Sequence, residues 1–391
     1  MSAVATLTSP WRGLSPAVWI LVTARAVNRI GAFTLPFLGV VLTVEFGASL
    51  SQTGLILALF GAATIPSRLL GGADRLGRRR TIVLGLTGCA VAQTWIALSH
   101  ALWSAVLATV LLGLAFEIYE PPSQAMIADV TSPSDRPAAY GLYSAALAAA
   151  GVLAGLLAAA ISHVDLRWLF VADALTCLAC AVLVALALPV DVRRETEELV
   201  VRSEEVSVWR DRRLLLLLAC GTVFATIYMQ LVIGVPLTLL EQGLPKSGTG
   251  FILAVSAVTL IVAQRLLRLQ QFDDFRAMTV GYVLLGAGLV VTAIAHSLTI
   301  FLFAAVLWSL GDLFLLTRYL TQASGLAPEH ARGRYLAVFG LSWGIATTIA
   351  PLTVTQLLDA AGPKGLWLTS AAVAAALALA QPWLRKRLAR A

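Results

Sequence analysis

Charge is scarce along this sequence. Only 13% of its 391 residues are Asp, Glu, Lys or Arg, while 59% are hydrophobic and the mean hydropathy is +0.86. A water-soluble domain carries about twice that charged fraction, so an ordinary soluble globule is excluded. Cysteine and histidine are also few, four of each. Cys89, Cys177, Cys180 and Cys220 all fall in apolar runs. Cys177-x-x-Cys180 has no second pair and no nearby His, which leaves no zinc-type or redox constellation. His100, His163, His296 and His330 show no paired ligand spacing. No metal and no cofactor are therefore expected. An integral-membrane enzyme or receptor, the most distant of the readings weighed here, would need a soluble domain or a cluster of those His with acids. Long polar stretches are missing too, with one exception from Asp191 to Arg213.

What the chain has instead is apolar runs of spanning length. A helix needs about 20 apolar residues to cross a bilayer. On that ruler there are twelve such runs, at 15–43, 52–71, 80–99, 103–128, 137–161, 166–189, 213–240, 248–268, 275–296, 298–323, 332–358 and 365–384. The first run contains Arg25 and Arg29 and is too long for a cleaved signal, so it is expected to stay as helix 1. The net charge of +7 invites a nucleic-acid reading, but its distribution argues against one. About twenty of the 28 Lys and Arg lie between spans on one side, three lie on the other (Arg167, Lys246, Lys364), and Arg25, Arg29, Arg68, Arg265 and Arg318 lie within spans. That is the positive-inside bias of a multi-pass membrane protein with both termini cytoplasmic, not a nucleic-acid footprint. The expected location is the cell membrane, and the bilayer is the expected surrounding.

The halves repeat. Thr53-Gly54-Leu55-Ile56-Leu57-Ala58 matches Thr249-Gly250-Phe251-Ile252-Leu253-Ala254, an offset of 196 residues. Pro133 to Tyr140 and Pro328 to Tyr335 share their spacing at an offset of 195, which also places Glu117 on Asp312. The expected fold is all-α and integral to the membrane, with twelve transmembrane helices in two pseudo-symmetric six-helix halves. The expected domains are 1–190, a cytoplasmic linker at 191–213, and 214–391.

Between the second and third runs stands a tight basic hairpin, Gly71 to Arg80. Its Asp74-Arg75-x-Gly77-Arg78-Arg79 resembles the loop signature between helices 2 and 3 of the major facilitator superfamily of transporters. Pro122-x-x-Ala125-x-x-x-Asp129, Arg136-x-x-x-Tyr140-x-Leu142 and Ala327 to Tyr335 followed by Gly340-Leu341-Ser342-Trp343-Gly344 resemble further segments of that family, most closely its drug and metabolite efflux branch. The resemblance implies alternating access, a gating role for Asp74, Arg75, Gly77, Arg78 and Arg79, and contact of Asp74 with the start of helix 11 near Gly333-Arg334-Tyr335. It is incomplete in two places. The family's helix-4 arginine falls on Thr109, and its helix-5 antiporter run keeps Gly151 and Gly155 but has Leu156, Ala159 and Ala160 for the Pro and later glycines.

Charges within spans are costly and so are functional candidates. At 1.5 Å per residue Glu117 lies about 20 Å into helix 4, with Glu120 a turn beyond, and Asp312 lies at a matching depth in helix 10. Arg25 falls near mid-membrane on helix 1, with Asn28 and Arg29 a turn later. Two readings of the acids stand. In one, Glu117 and Asp312 exchange protons or pair with substrate. In the other, Arg25 or Arg29 forms a fixed ion pair with Glu117 or Glu120. Asp173 is expected to pair locally with Arg167. Tyr119, Tyr143, Tyr228, Trp308 and Trp343 are candidates to line a cavity, while Trp103, Trp168 and Trp367 read as interfacial anchors. The function expected from all of this is export of a small molecule, drug-like or a metabolite, in exchange for protons, by a chain able to act as a monomer. The alternative is a uniporter or importer of an anionic or zwitterionic solute that pairs with Arg25, Arg29 and Arg318.

Overall fold

The computed structural model describes residues 11, 13–72, 77–132, 135–188, 208–269, 273–328 and 332–388. Asp74, Arg75, His330 and most of the linker, 191–207, lie outside the described residues. Every regular element among the described residues is helical. The helices are α1 (Pro16–Ile30), α2 (Thr34–Val44), α3 (Leu50–Gly72), α4 (Arg78–Leu98), α5 (Leu102–Phe116), α6 (Glu120–Asp129), α7 (Arg136–Ser162), α8 (Arg167–Ala187), α9 (Arg212–Glu241), α10 (Gly248–Leu269), α11 (Asp274–Ala293), α12 (Leu298–Leu326) and α13 (Arg332–Leu388).

Ten helical segments among the described residues are long and apolar enough to cross a membrane, and Gly248–Gln264 is a shorter apolar helix beside them. The last segment turns at Gly362, where φ is +65° and ψ −176°, so α13 contains two helical stretches. This arrangement is consistent with twelve crossings. It has a physical basis in bilayer chemistry, because a helix satisfies all its backbone hydrogen bonds within itself where no water is available.

Two expected spans are broken in the middle. The first is interrupted at residues 31–33, between α1 and α2. The fourth breaks at residues 117–119, between α5 and α6, and Pro121 and Pro122 explain where. Neither proline carries an N–H, and their rings crowd the carbonyls four residues back, at Glu117 and Ile118. The helix therefore ends at Phe116 and restarts at Glu120. By contrast α12, at the symmetry-related position, runs unbroken through Asp312.

The chain groups into two compact units, Met1–Thr34 with Ala62–Thr196, and Leu35–Gly61 with Glu197–Ala391. In the first, α4 packs on α5 and α8, and α1 on α7 and α8. In the second, α9 and α11 pack on α13, and α12 packs on α10 and α11. The outer part of α3 also crosses α13 there. A Cβ added at Gly61 would lie 2.6 Å from the carbonyl carbon of Thr347 and 2.8 Å from the Cα of Thr348. The two backbones touch at that point, which only a residue without a side chain permits.

The second unit encloses an aromatic core. Phe224 stacks on Tyr319 at 5.5 Å, and Tyr319 on Phe339 at 5.9 Å. Phe224 meets Tyr282 edge-on at 6.3 Å, and the Tyr282 and Tyr319 hydroxyls are 2.6 Å apart. Trp367 is fully buried, and its indole N–H donates to Thr238 Oγ1 at 3.1 Å. It is thus a packing residue and not the interfacial anchor its place near a span end suggests, because the turn at Gly362 folds the following stretch against α9. Trp103 and Trp168 are exposed. At the start of α9, Asp211 caps the helix by accepting from the backbone N–H groups of Arg213 (2.8 Å) and Leu214 (3.4 Å). The Tyr335 hydroxyl donates to its other oxygen at 2.8 Å.

Candidate functional site

In the first unit the helix-4 break delivers Glu120 to Arg25. Their side chains form a direct ion pair, with Arg25 about one-tenth and Glu120 about one-third exposed. The rest of the guanidinium is also engaged. Its Nη1 donates to Asn28 Oδ1 at 2.8 Å, and its Nε donates to the Tyr143 hydroxyl at 3.4 Å. That hydroxyl lies 3.4 Å from Glu120 Oε1, to which it donates. The Tyr119 ring covers the guanidinium at 4.8 Å from its centroid, a cation–π contact. A broken helix makes this possible. A continuous α-helix would carry Tyr119 and Glu120 about 200° around from where the two-residue reset leaves them relative to α5, since each residue turns the helix by roughly 100°.

From Asn28 the polar chain continues into the unit. Asn28 Nδ2 donates to Cys177 Sγ at 3.2 Å. The Cys177 thiol lies 3.7 Å from Asp173 Oδ1. Thr34 Oγ1 donates to Asp173 Oδ2 at 2.6 Å and accepts from Gln93 Nε2 at 3.0 Å. Asp173, 3% exposed, is therefore held by Thr34 and Cys177. Arg167 turns instead to the carbonyls of Ser99 (2.9 Å) and Ala97 (3.4 Å). Proximity in sequence suggested the Asp173–Arg167 pair, but the two residues lie almost two turns apart on α8 and face different neighbours.

The other candidates scatter. Glu117 is half-buried at the end of α5, where its backbone N–H donates to Ser67 Oγ at 3.0 Å. Arg29 is exposed. Arg318 pairs with Asp274 at 2.6 Å, and Gln322 donates to the same carboxylate at 2.8 Å. Thr109, standing where the family carries an arginine, is fully buried with a hydroxyl that has no hydrogen-bond partner.

Asp312 is 5% exposed, and its Oδ1 is a buried acceptor with no hydrogen-bond partner among the described residues. One turn before it on α12, Ser309 donates to Ser256 of α10 at 2.7 Å, so the acid shares the face turned toward α10. Nearby in the same unit, Tyr228 and Trp343 stand edge to face at 5.2 Å and are both half-buried. Sequence inspection found both of them, along with Tyr119 and Tyr143. It missed Phe224, Tyr282, Tyr319 and Phe339, and also Gln93 and Thr34. A polar residue inside an apolar run was the available signal for Gln93.

In the basic hairpin, Gly77 has φ +85° and ψ 150°, a region open essentially to glycine. Arg79 begins α4 and donates to the Ala185 carbonyl in the last turn of α8. The hairpin therefore has a fastening role at this end of the first unit, in addition to any role of Asp74 and Arg75.

Residues 21–269 match the family model described as Major Facilitator Superfamily. The chain is 26% identical over 332 residues to the multidrug resistance protein MdtH of Cronobacter sakazakii, a match covering 84% of this chain and 79% of that one. It is 25% identical over 369 residues to a Na(+), Li(+), K(+)/H(+) antiporter of Planococcus maritimus, covering 82% and 84%. Among solved structures it resembles a peptide transporter POT in complex with sulfate, with a TM-score of 0.80 at 13% identity over 97% of this chain and 96% of the other.

Proposed function

This chain belongs to the major facilitator superfamily of membrane transporters, and on that premise we propose that it exports a small molecule in exchange for protons. Membership makes it a multi-pass membrane transporter of a small-molecule substrate rather than an enzyme. The finer reading places it in the cell membrane with both termini cytoplasmic, and rests on the acids within the spans.

The observation that carries the reading is Asp312. A buried carboxylate with an unsatisfied oxygen and no counter-ion costs several kcal/mol. Its charge must therefore be met by something that comes and goes, and a proton and a cationic substrate are the two candidates. The half-buried Tyr228 and Trp343 in the same unit offer aromatic faces suited to a lipophilic cation. Names among the relatives, a multidrug resistance protein and a cation/proton antiporter, agree with this class. Of the cations that would serve an anionic solute, Arg25 is neutralised by Glu120 and Arg318 by Asp274, which speaks against the importer alternative. Glu120 reads as the partner that holds Arg25 within the membrane. Glu117, beside the break, is the second candidate for proton exchange. The hairpin residues Asp74, Arg75, Gly77, Arg78 and Arg79 are assigned to the gate.

The test is transport in proteoliposomes with an imposed pH gradient and a panel of lipophilic cations and small metabolites. Wild type should move a substrate against its own gradient, and Asp312→Asn should abolish this while leaving downhill exchange. Uphill transport that survives both Asp312→Asn and Glu117→Gln overturns the proton-antiport reading.

A further inference from the structure

A cavity of about 430 Å³ opens between the start of α11 and the end of α13, at the end of the second unit where the basic tail lies. It plays no part in the site described above. Its wall carries three cationic side chains, Arg276, Arg385 and Lys386, against one carboxylate, Asp273. Asp273 is already matched, since it pairs with Arg385 at 3.6 Å. The neighbouring Asp274 is held by Arg318 and Gln322. Arg276 and Lys386 have no acidic partner among the described residues. The cavity also lies at the N-terminal end of α11, a helix of 20 residues whose Asp273 cap makes no side-chain hydrogen bond to the first turn. The unpaired N–H groups and the dipole there favour an anion.

A second observation points to a ligand and says something about its shape. Gln381 lines the same cavity and is only 1% exposed. Its Nε2 donates to the Leu377 carbonyl at 3.0 Å, but its Oε1 is buried with no partner. A buried acceptor left unsatisfied costs about 1–3 kcal/mol. An occupant that donates a hydrogen bond at that point removes the cost. The site therefore asks for a group that is anionic at one end and carries a hydroxyl donor at the other. Pro382 adds apolar wall, and Trp383 beside it is exposed with its ring 5.7 Å from the Arg387 guanidinium, as expected for an aromatic residue at a membrane–water interface.

We propose that this cavity binds a phosphate ester bearing a hydroxyl group, as the headgroup of an anionic phospholipid or as its water-soluble equivalent. Arg276 and Lys386 take the phosphate, and Gln381 Oε1 accepts from the hydroxyl. The site is independent of the direction and coupling of transport.

The experiment titrates the purified full-length protein in detergent with defined lipids and reads bound lipid by native mass spectrometry. Phosphatidylglycerol should bind about tenfold or more tightly than phosphatidylcholine, because two charge-assisted contacts are at stake. The double variant Arg276→Gln/Lys386→Gln should lose that preference, and the charge-conserving Arg276→Lys/Lys386→Arg should keep most of it. Phosphatidylmethanol has the same charge but no hydroxyl. Wild type should prefer phosphatidylglycerol to it, and Gln381→Leu should bind the two equally. Displacement of phosphatidylglycerol by glycerol 1-phosphate assigns the site to soluble phosphate esters, and failure of displacement assigns it to lipid. Equal binding of phosphatidylglycerol and phosphatidylcholine by wild type, or a preference untouched by the double glutamine variant, overturns the proposal.

Discussion

Replacing Glu120 by Gln keeps the shape of the Arg25 cage and removes one charge. The guanidinium would still have Asn28, the Tyr143 hydroxyl and the face of Tyr119, but no carboxylate. Removing one partner of a fully buried ion pair costs about 3–5 kcal/mol, most of it the burden of the charge left behind. Two features lower that figure here. The Glu120 side chain is 31% exposed, so water screens part of the interaction, and a Gln oxygen still accepts a hydrogen bond. A loss of about 2 kcal/mol is expected. Arg25→Met should cost a similar amount by stranding Glu120 beside Tyr143. The informative measurement is the double variant Arg25→Met/Glu120→Gln, followed by thermal unfolding in detergent. Groups in direct contact show coupling of about 0.5–3 kcal/mol, so the double variant should be clearly more stable than the sum of the single losses. Strict additivity would refute the claim that these residues act as a pair. If it also left transport unchanged in all three variants, Arg25 and Glu120 would have no place in the site.

Three further outcomes follow from the geometry. Gly77→Ala places a Cβ at φ +85° and should destabilise the start of α4 by about 1–3 kcal/mol, measurable as a lower unfolding temperature, whereas Arg80→Ala, at an exposed position, should change little. Gly61→Leu drives a side chain into the backbone of Thr347 and Thr348, so it should abolish folding or force α3 away from α13; cysteine pairs that crosslink these helices in wild type and fail to do so in the variant would verify the contact. Asp173→Asn keeps the bond to Thr34 possible but turns a shared acceptor into a mixed donor, and a loss of about 1–2 kcal/mol is expected. Arg167→Gln should not reproduce that loss if the two residues are independent.

Much of the architecture was legible in one dimension, because span length, hydropathy and charge bias are properties of the chain itself. A run of about 20 apolar residues has one stable form in a bilayer, so the helical class and the approximate limits of the spans follow from composition. The hairpin from Gly71 to Arg80 and the half-chain repeat likewise identified the family before any coordinate was seen. Pairing was different. Arg25 had four possible arrangements with Glu117 and Glu120 once Arg29 was included, and helical depth alone ranks Glu117 as high as Glu120. The choice of Glu120 came from the Pro121-Pro122 break, which resets the rotation of the chain after Phe116, and from the packing of α1 near α6 and α7. Asp173 shows the same limit. Its nearest cation in sequence is Arg167, yet its partners are Thr34 and Cys177, on α2 and one turn further along α8. Asp312 looked like the mate of Glu117 by symmetry, but one sits in an unbroken helix and the other at a helix end. Sequence determined which segments enter the membrane and which charges go with them. Tertiary structure alone decided which of those charges meet, because ion pairing depends on distances of a few ångström that helix breaks and rotations set and that periodicity does not encode.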